Sequence, residues 1–301
     1  MKVKSTFSAP FLFIVALVLL AASRYIDFST LAYKENICLA LIVLQLLILV
    51  VPVAFYSKIK GEGYVKRLRL SSFGIEKLLA TLLAAITLII GDTLIKMLLY
   101  RTGAIEATYS VYYYYLNGYE PGVLYSLLTF VLVPTICEEF FFRSVLCAEY
   151  EHSGAITAVV ASSLFYAMFG MNFAYLPVHF FAGLMFALVM YMTKSVFASM
   201  LCHFIYAVFD LAVGDTVRTV ITKPQSTGFL IFTLGSAFLL CCVVLFGEFE
   251  RIYYGYALAG PKKGEDTDKS KFNIRKFSEA LLAPPFLVAV LLFVTAAFLW
   301  M

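Results

Sequence analysis

Apolar residues run almost unbroken through nine stretches of this chain: 6–23, 36–56, 78–99, 122–142, 154–171, 175–193, 195–213, 228–247 and 280–300. A membrane-spanning helix needs about 20 mainly apolar residues, within a range of about 17 to 25. Each stretch reaches or approaches that length. The pattern predicts an all-α fold, a polytopic transmembrane helical bundle of about 8–9 spanning helices, in one integral membrane domain over residues 1–301. The run from Ala9 to Ala22 follows Met-Lys-Val-Lys and has the look of a signal peptide. With many more such runs behind it, it reads as the first span.

The polar positions between the runs assign a direction. Lysine and arginine concentrate in cytoplasmic loops. With the N-terminus inside, seventeen of the 23 basic residues fall on that side, including Lys2, Lys4, Lys58, Lys60, Arg69, Lys77, Arg143, Lys194 and Arg251. Arg24, Lys34, Arg101, Arg218 and Lys223 fall on the other side, and Lys96 lies within the third run. A cytoplasmic N-terminus in a multi-pass protein of the cell membrane is the expected topology. Two long basic loops, 57–77 and 248–279, then face the cytoplasm, and Pro261–Lys276 reads as a solvated segment near anionic headgroups. On the outer side, Tyr109 and Tyr112 to Tyr115 read as an interfacial aromatic belt.

Composition narrows the class. Hydrophobic residues make up 62% of the chain and charged residues 14%, with a mean hydropathy of +0.90. A soluble domain carries about 25% charged residues, so this chain has too few polar groups to cover a water-facing surface, and its solvent is the lipid bilayer. No basic stripe with interleaved aromatics suggests nucleic acid binding. The six cysteines sit in or beside apolar runs without zinc-type pairing, and read as small lipid-compatible residues rather than disulfide partners.

Ionisable residues inside a membrane cost about 2.5–3.5 kcal/mol each on insertion scales, so each asks for a reason. Asp92 and Lys96 stand four apart and form an ion pair on one helix face. The fourth run contains Glu138-Glu139-Phe-Phe-Phe-Arg143. At 100° per residue Glu139 and Arg143 share a face and pair, whereas Glu138 is turned 100° away with no local cation of its own. Glu138 is therefore the acid available for general-base work on water. Pro134 lies one turn earlier and cannot donate to the carbonyl at Phe130, which permits a kink and some local water. In the seventh run His203 shares a helical face with Tyr206, Ala207 and Asp210, so these side chains can line one cavity.

Glu138-Glu139-x-x-x-Arg143, then Ser162-Ser163-x-Phe165, then a small-residue helix ending Thr193-Lys194-Ser195, then an intramembrane His203, resembles the CPBP family. These are the CAAX-protease and bacteriocin-processing membrane proteases, also called Abi. The similarity covers roughly residues 120–213, the expected catalytic core. The resemblance implies a glutamate-dependent intramembrane endopeptidase. By that resemblance Glu138 activates water with a second-motif histidine, and His203 with the residue four later stabilises the oxyanion. The substrates implied are hydrophobic or lipidated peptides or membrane proteins.

Two positions depart from the family pattern: Phe169 stands where the second-motif histidine belongs, and Ala207 where the third-motif asparagine belongs. Asn172, His179 and Tyr206 are the candidate substitutes. Glu138, Glu139 and His203 resemble an incomplete zinc-like set; a divalent metal would need further ligation, and no tightly bound zinc or other cofactor is expected. Three functions stay open: an active, divergent endopeptidase; an inactive relative that binds hydrophobic or lipidated peptides as a scaffold or immunity factor; and a small proton- or cation-coupled transporter using the two glutamates.

Overall fold

A computed structural model of the chain describes residues 5–26, 35–61, 68–105, 121–222, 227–258 and 273–299. Lys2, Lys4, Tyr109, Tyr112 to Tyr115 and most of the 261–276 loop lie outside the described residues. All of the regular structure described is helical: α1 (Ser5–Ser23), α2 (Asn36–Lys60), α3 (Ile75–Arg101), α4 (Val123–Ser153), α5 (Ala155–Phe169), α6 (Leu176–Thr193), α7 (Val196–Thr222), α8 (Thr227–Leu258), α9 (Ile274–Leu281) and α10 (Pro284–Leu299). The protein is a polytopic helical bundle.

Every predicted apolar run is a helix, but not every helix is long enough to cross a bilayer. Among the described residues six are, and a seventh arises if α9 and α10, bent by 52° at the break between Leu281 and Pro284, count as one span. The apolar part of α1 and the whole of α5 are shorter. Gly154, at φ 110°, precedes α5, and Met171, at φ 48°, follows it closely. These left-handed positions confine α5 to 15 residues, about 22 Å of rise against a hydrocarbon core of about 30 Å.

One boundary differs from expectation in a way that matters. The sequence places 143–153 in a loop, yet α4 continues through it to Ser153. Arg143 is therefore not a loop charge; only 1% of its surface is exposed. The continuation is possible because Glu149, near the helix end, is met by Lys60 Nζ at 2.9 Å. Beside it Arg69 pairs with Glu151 at 2.8 Å, and Lys77 donates to the Thr193 carbonyl at 3.2 Å. Lys60, Arg69 and Lys77 thus meet the C-terminal ends of α4 and α6.

Among the described residues, helix regularity also breaks inside the spans. The chain widens to π-helix at Leu46–Val50, Leu128–Leu132 and Phe140–Leu146. The first two stand immediately before Val51-Pro52 and Val133-Pro134. A proline inside a helix lacks a donor, and its ring crowds the carbonyl four residues back; a wider turn relieves both problems. The kink expected at Pro134 is accommodated in this way.

Two apolar clusters flank α4. In one, Phe13, Phe142, Phe165 and Phe286 join α1, α4, α5 and α10. Phe13 and Phe165 lie 4.5 Å apart between ring centroids, and Phe165 and Phe286 5.0 Å. In the other, Ala84, Leu88, Ala182, Phe186, Ala198 and Cys202 join α3, α6 and α7. Because lipid is as apolar as these side chains, association rests on close packing rather than on escape from water. Gly183 shows how close: a Cβ there would stand 3.0 Å from the Cα of Ser163, so α5 and α6 touch backbone to backbone. Only 6% of the apolar window of α8 is buried, which places that helix at the periphery on α3.

Candidate functional site

The two glutamates of α4 have different surroundings. Glu139 is fully buried. Its carboxylate lies 3.3 Å from Arg143 Nε, accepts from the Ser199 hydroxyl at 2.5 Å, and sits 3.0 Å from His203 Nδ1. The pairing with Arg143 follows the i, i+4 geometry read from the sequence. The links to α7 do not follow from α4 alone, and they make Glu139 the joint between the two helices. Ser199 and His203 are four apart on α7 and reach the same carboxylate from one face.

Arg143 is placed by more than its acid. Its Nη2 donates to the Gly183 carbonyl at 3.1 Å. Its guanidinium lies 4.6 Å from the Tyr166 ring centroid and 5.2 Å from that of Phe186. A planar cation stacked between rings suits arginine and not lysine. The close approach of α5 and α6 at Gly183 brings the accepting carbonyl within range.

Glu138 is half-buried. It lies within electrostatic reach of His203, Glu139 and Arg143. With Nδ1 of His203 engaged by Glu139, Nε2 is the ring nitrogen left to meet a ligand. The imidazole is held flat by Phe186, stacked at 4.4 Å with 20° between the planes. A carboxylate with some exposure beside an oriented imidazole is an arrangement that can activate a water and bind a developing negative charge.

The proposed substitutes lie elsewhere. Asn172 is exposed, and its side-chain oxygen accepts from the Ala174 and Tyr175 amides at 2.9 and 3.3 Å, which closes the turn into α6. Tyr206 donates to Asp92 at 3.0 Å. Its hydroxyl serves a separate ion cluster, in which Lys96 Nζ lies 2.7 Å from Asp92 and 3.8 Å from Asp210. The shared face of His203, Tyr206 and Asp210 therefore serves two polar groups rather than one cavity. His179 meets the Tyr166 ring edge-on at 6.4 Å, and among the described residues it makes no hydrogen bond to either glutamate. Phe169 packs edge-on against Phe142 at 5.5 Å in the aromatic cluster. Ala207 is half-buried and offers no donor.

Sequence reasoning missed Tyr166 and Ser199. Both carried a signal: Tyr166 is one turn before Phe169 on the same helix face, and Ser199 one turn before His203. No three His, Cys, Asp or Glu side chains converge as a metal-holding group among the described residues. Glu139 explains why the Glu138, Glu139, His203 set does not form one, since Arg143, Ser199 and His203 already occupy its oxygens.

Residues 120–209 match the family described as Type II CAAX prenyl endopeptidase Rce1-like. Neither the curated proteins nor the solved structures contain a significant match to the chain. The matched segment runs from just before α4 into α7 and contains Glu138, Glu139, Arg143, Tyr166, Ser199 and His203.

Proposed function

We propose that the chain is an intramembrane endopeptidase of the CAAX type, with its catalytic core at 120–213 inside a single membrane domain, its N-terminus cytoplasmic and its site in the cell membrane. The observation that carries this reading is the convergence of Glu138 and His203 within the matched segment, with Glu139 linking their helices. Glu138 takes one proton from water as the water oxygen attacks the scissile carbonyl carbon. It returns that proton to the departing amine nitrogen as the C–N bond breaks. In its imidazolium form, with Nδ1–H on Glu139, His203 presents Nε2–H to the oxyanion; one preorganised donor of this kind contributes about 2.7–4 kcal/mol in hydrolytic sites. Glu139 and Arg143 orient the site and do not react. The substrates are hydrophobic or lipidated peptides, which reach the site from the bilayer.

A second reading has its own support. Phe169 and Ala207 bring neither a base nor a donor, and Tyr206 and Asn172 are engaged elsewhere. These facts favour an inactive relative that binds such peptides without cutting them. Incubation of the full chain in detergent with a peptide library that includes peptides farnesylated on a cysteine that further residues follow separates the two. Cleavage by the wild type and not by Glu138→Gln supports the peptidase. Binding by both proteins with no cleavage by either supports the binder, and equal cleavage by both removes Glu138 from the mechanism.

A further inference from the structure

Ser199 departs from the way hydroxyls elsewhere in the spans are satisfied. Thr87 donates to the Leu83 carbonyl at 2.7 Å, Thr93 to Ile89 at 2.8 Å and Ser236 to Phe232 at 2.8 Å. Each turns back onto its own helix, the usual outlet for a serine or threonine in apolar surroundings. Ser199 is fully buried, and its hydroxyl faces two other helices instead. Its Oγ stands 2.5 Å from Oε2 of Glu139 on α4 and 2.9 Å from the Phe186 carbonyl on α6.

Both of those neighbours accept, and a hydroxyl has one hydrogen. The ionised acceptor takes it, because a hydrogen bond to a charged group is about twice as strong as one between neutral groups. Arg143 does not do the same job. Its Nε faces the same Oε2 at 3.3 Å, but the two are not aligned as a hydrogen bond. The guanidinium balances the charge of Glu139 without fixing the plane of its carboxylate.

The other oxygen, Oε1, lies 3.0 Å from His203 Nδ1. One face of α7 therefore holds the carboxylate at both oxygens, with Ser199 on one and His203 on the other. The last torsion of a glutamate is broad. Without the serine, the carboxylate is free to turn, and Nδ1 loses a fixed acceptor. The proton of a neutral imidazole sits on whichever nitrogen has the better partner.

Resting on the peptidase reading above, we propose that Ser199 is a positioning residue that acts through Glu139 on His203. Its hydroxyl holds Oε2, so that Oε1 stays on Nδ1–H and Nε2 is kept for the reacting carbonyl. Ser199 retains its own hydrogen throughout and needs no contact with substrate. The stack on Phe186 sets the plane of the imidazole; the serine sets which nitrogen in that plane carries the proton.

Ser199→Ala removes one oxygen from the contact. In the full chain kcat should fall about ten-fold, the low end of the loss that goes with a hydrogen bond to a charged group, with KM unchanged. A kcat equal to that of the wild type overturns the proposal. So does a rise in KM alone, which would make Ser199 a substrate contact. A second measurement does not depend on turnover. The chain has three histidines, and nitrogen NMR of protein labelled at histidine identifies His203 by its loss in His203→Ala. With the imidazole neutral, wild-type His203 should show a protonated Nδ1 and a bare Nε2. In Ser199→Ala the two resonances should move toward each other as the tautomers mix. An unchanged pair overturns the proposal even if no peptide is ever cleaved, and with a lowered unfolding midpoint it leaves Ser199 a packing role alone. Failure of the peptidase reading shows separately, as equal behaviour of wild type and Glu138→Gln toward peptides.

Discussion

The Nδ1 atom of His203 lies 3.0 Å from Oε1 of Glu139, across the contact between α4 and α7. The acid that orients the imidazole is therefore not the acid assigned to the chemistry. Adjacent residues on a helix point about 100° apart. The pair uses that angle to do two jobs, with Glu139 buried in the helix contact and Glu138 left half-buried. The two should respond differently to the same substitution.

Glu139→Gln should lower the thermal midpoint in detergent markedly, because it leaves Arg143 buried without its counter-charge. Breaking a buried pair by removing one partner costs about 3–5 kcal/mol. Glu138→Gln should leave the midpoint near that of the wild type while ending turnover. A Glu139→Gln protein as stable as the wild type would mean that Arg143 is adequately held by Gly183 and the rings alone.

Glu139→Gln combined with Arg143→Met should be more stable than Glu139→Gln by itself. The double change removes both charges and returns an apolar side chain to the space between Phe186 and Tyr166. Thermal unfolding of the two single and one double variants gives the coupling directly. Additive losses would show that the two residues are energetically independent.

His203→Ala should reduce kcat by about 100- to 1,000-fold, the usual effect of deleting one oxyanion donor, with a smaller change in KM. Steady-state kinetics on any peptide that the wild type cleaves reads both parameters. If KM rises while kcat holds, His203 binds substrate rather than the developing charge.

Tyr206→Phe separates the polar groups of α7. Its hydroxyl serves Asp92, in the Lys96 cluster, so the substitution should lower stability by about 1.5–3 kcal/mol, the value of a hydrogen bond to a charged group. Peptide turnover at a temperature where both proteins are folded should be unchanged. A fall in turnover larger than that of His203→Ala would return Tyr206 to the reacting group.

Much of this site was legible in the sequence because its parts are local. Glu139 and Arg143, and Asp92 and Lys96, announce themselves by a four-residue spacing within one helix, in surroundings too apolar for stray charge. His203 stands out for the same reason. What was not legible is what other helices bring. Tyr166 and Ser199 are ordinary residues for a membrane helix, and only packing shows that Tyr166 lies against Arg143 and that Ser199 meets Glu139. Arg143 was counted as a loop charge because hydropathy falls there, although the helix continues to Ser153 with Arg143 buried inside the bundle. The short α5 reads as a full span because the apolar run extends past the helix end at Phe169 to the left-handed turn at Met171.

The widened turn at Leu128–Leu132 has a consequence for the whole downstream helix. A π turn holds one residue more than the α turn it replaces, so everything after it is offset in phase, by about 100° of azimuth and about 1.5 Å of travel relative to an unbroken helix. Glu138 and Glu139 come one to two turns later. The azimuth that sends one acid into α7 and leaves the other half-buried is thus a vernier setting, fixed upstream by the accommodation of Pro134. A helix with the same glutamates, arginine and flanking phenylalanines but one residue fewer in that turn would aim both acids elsewhere.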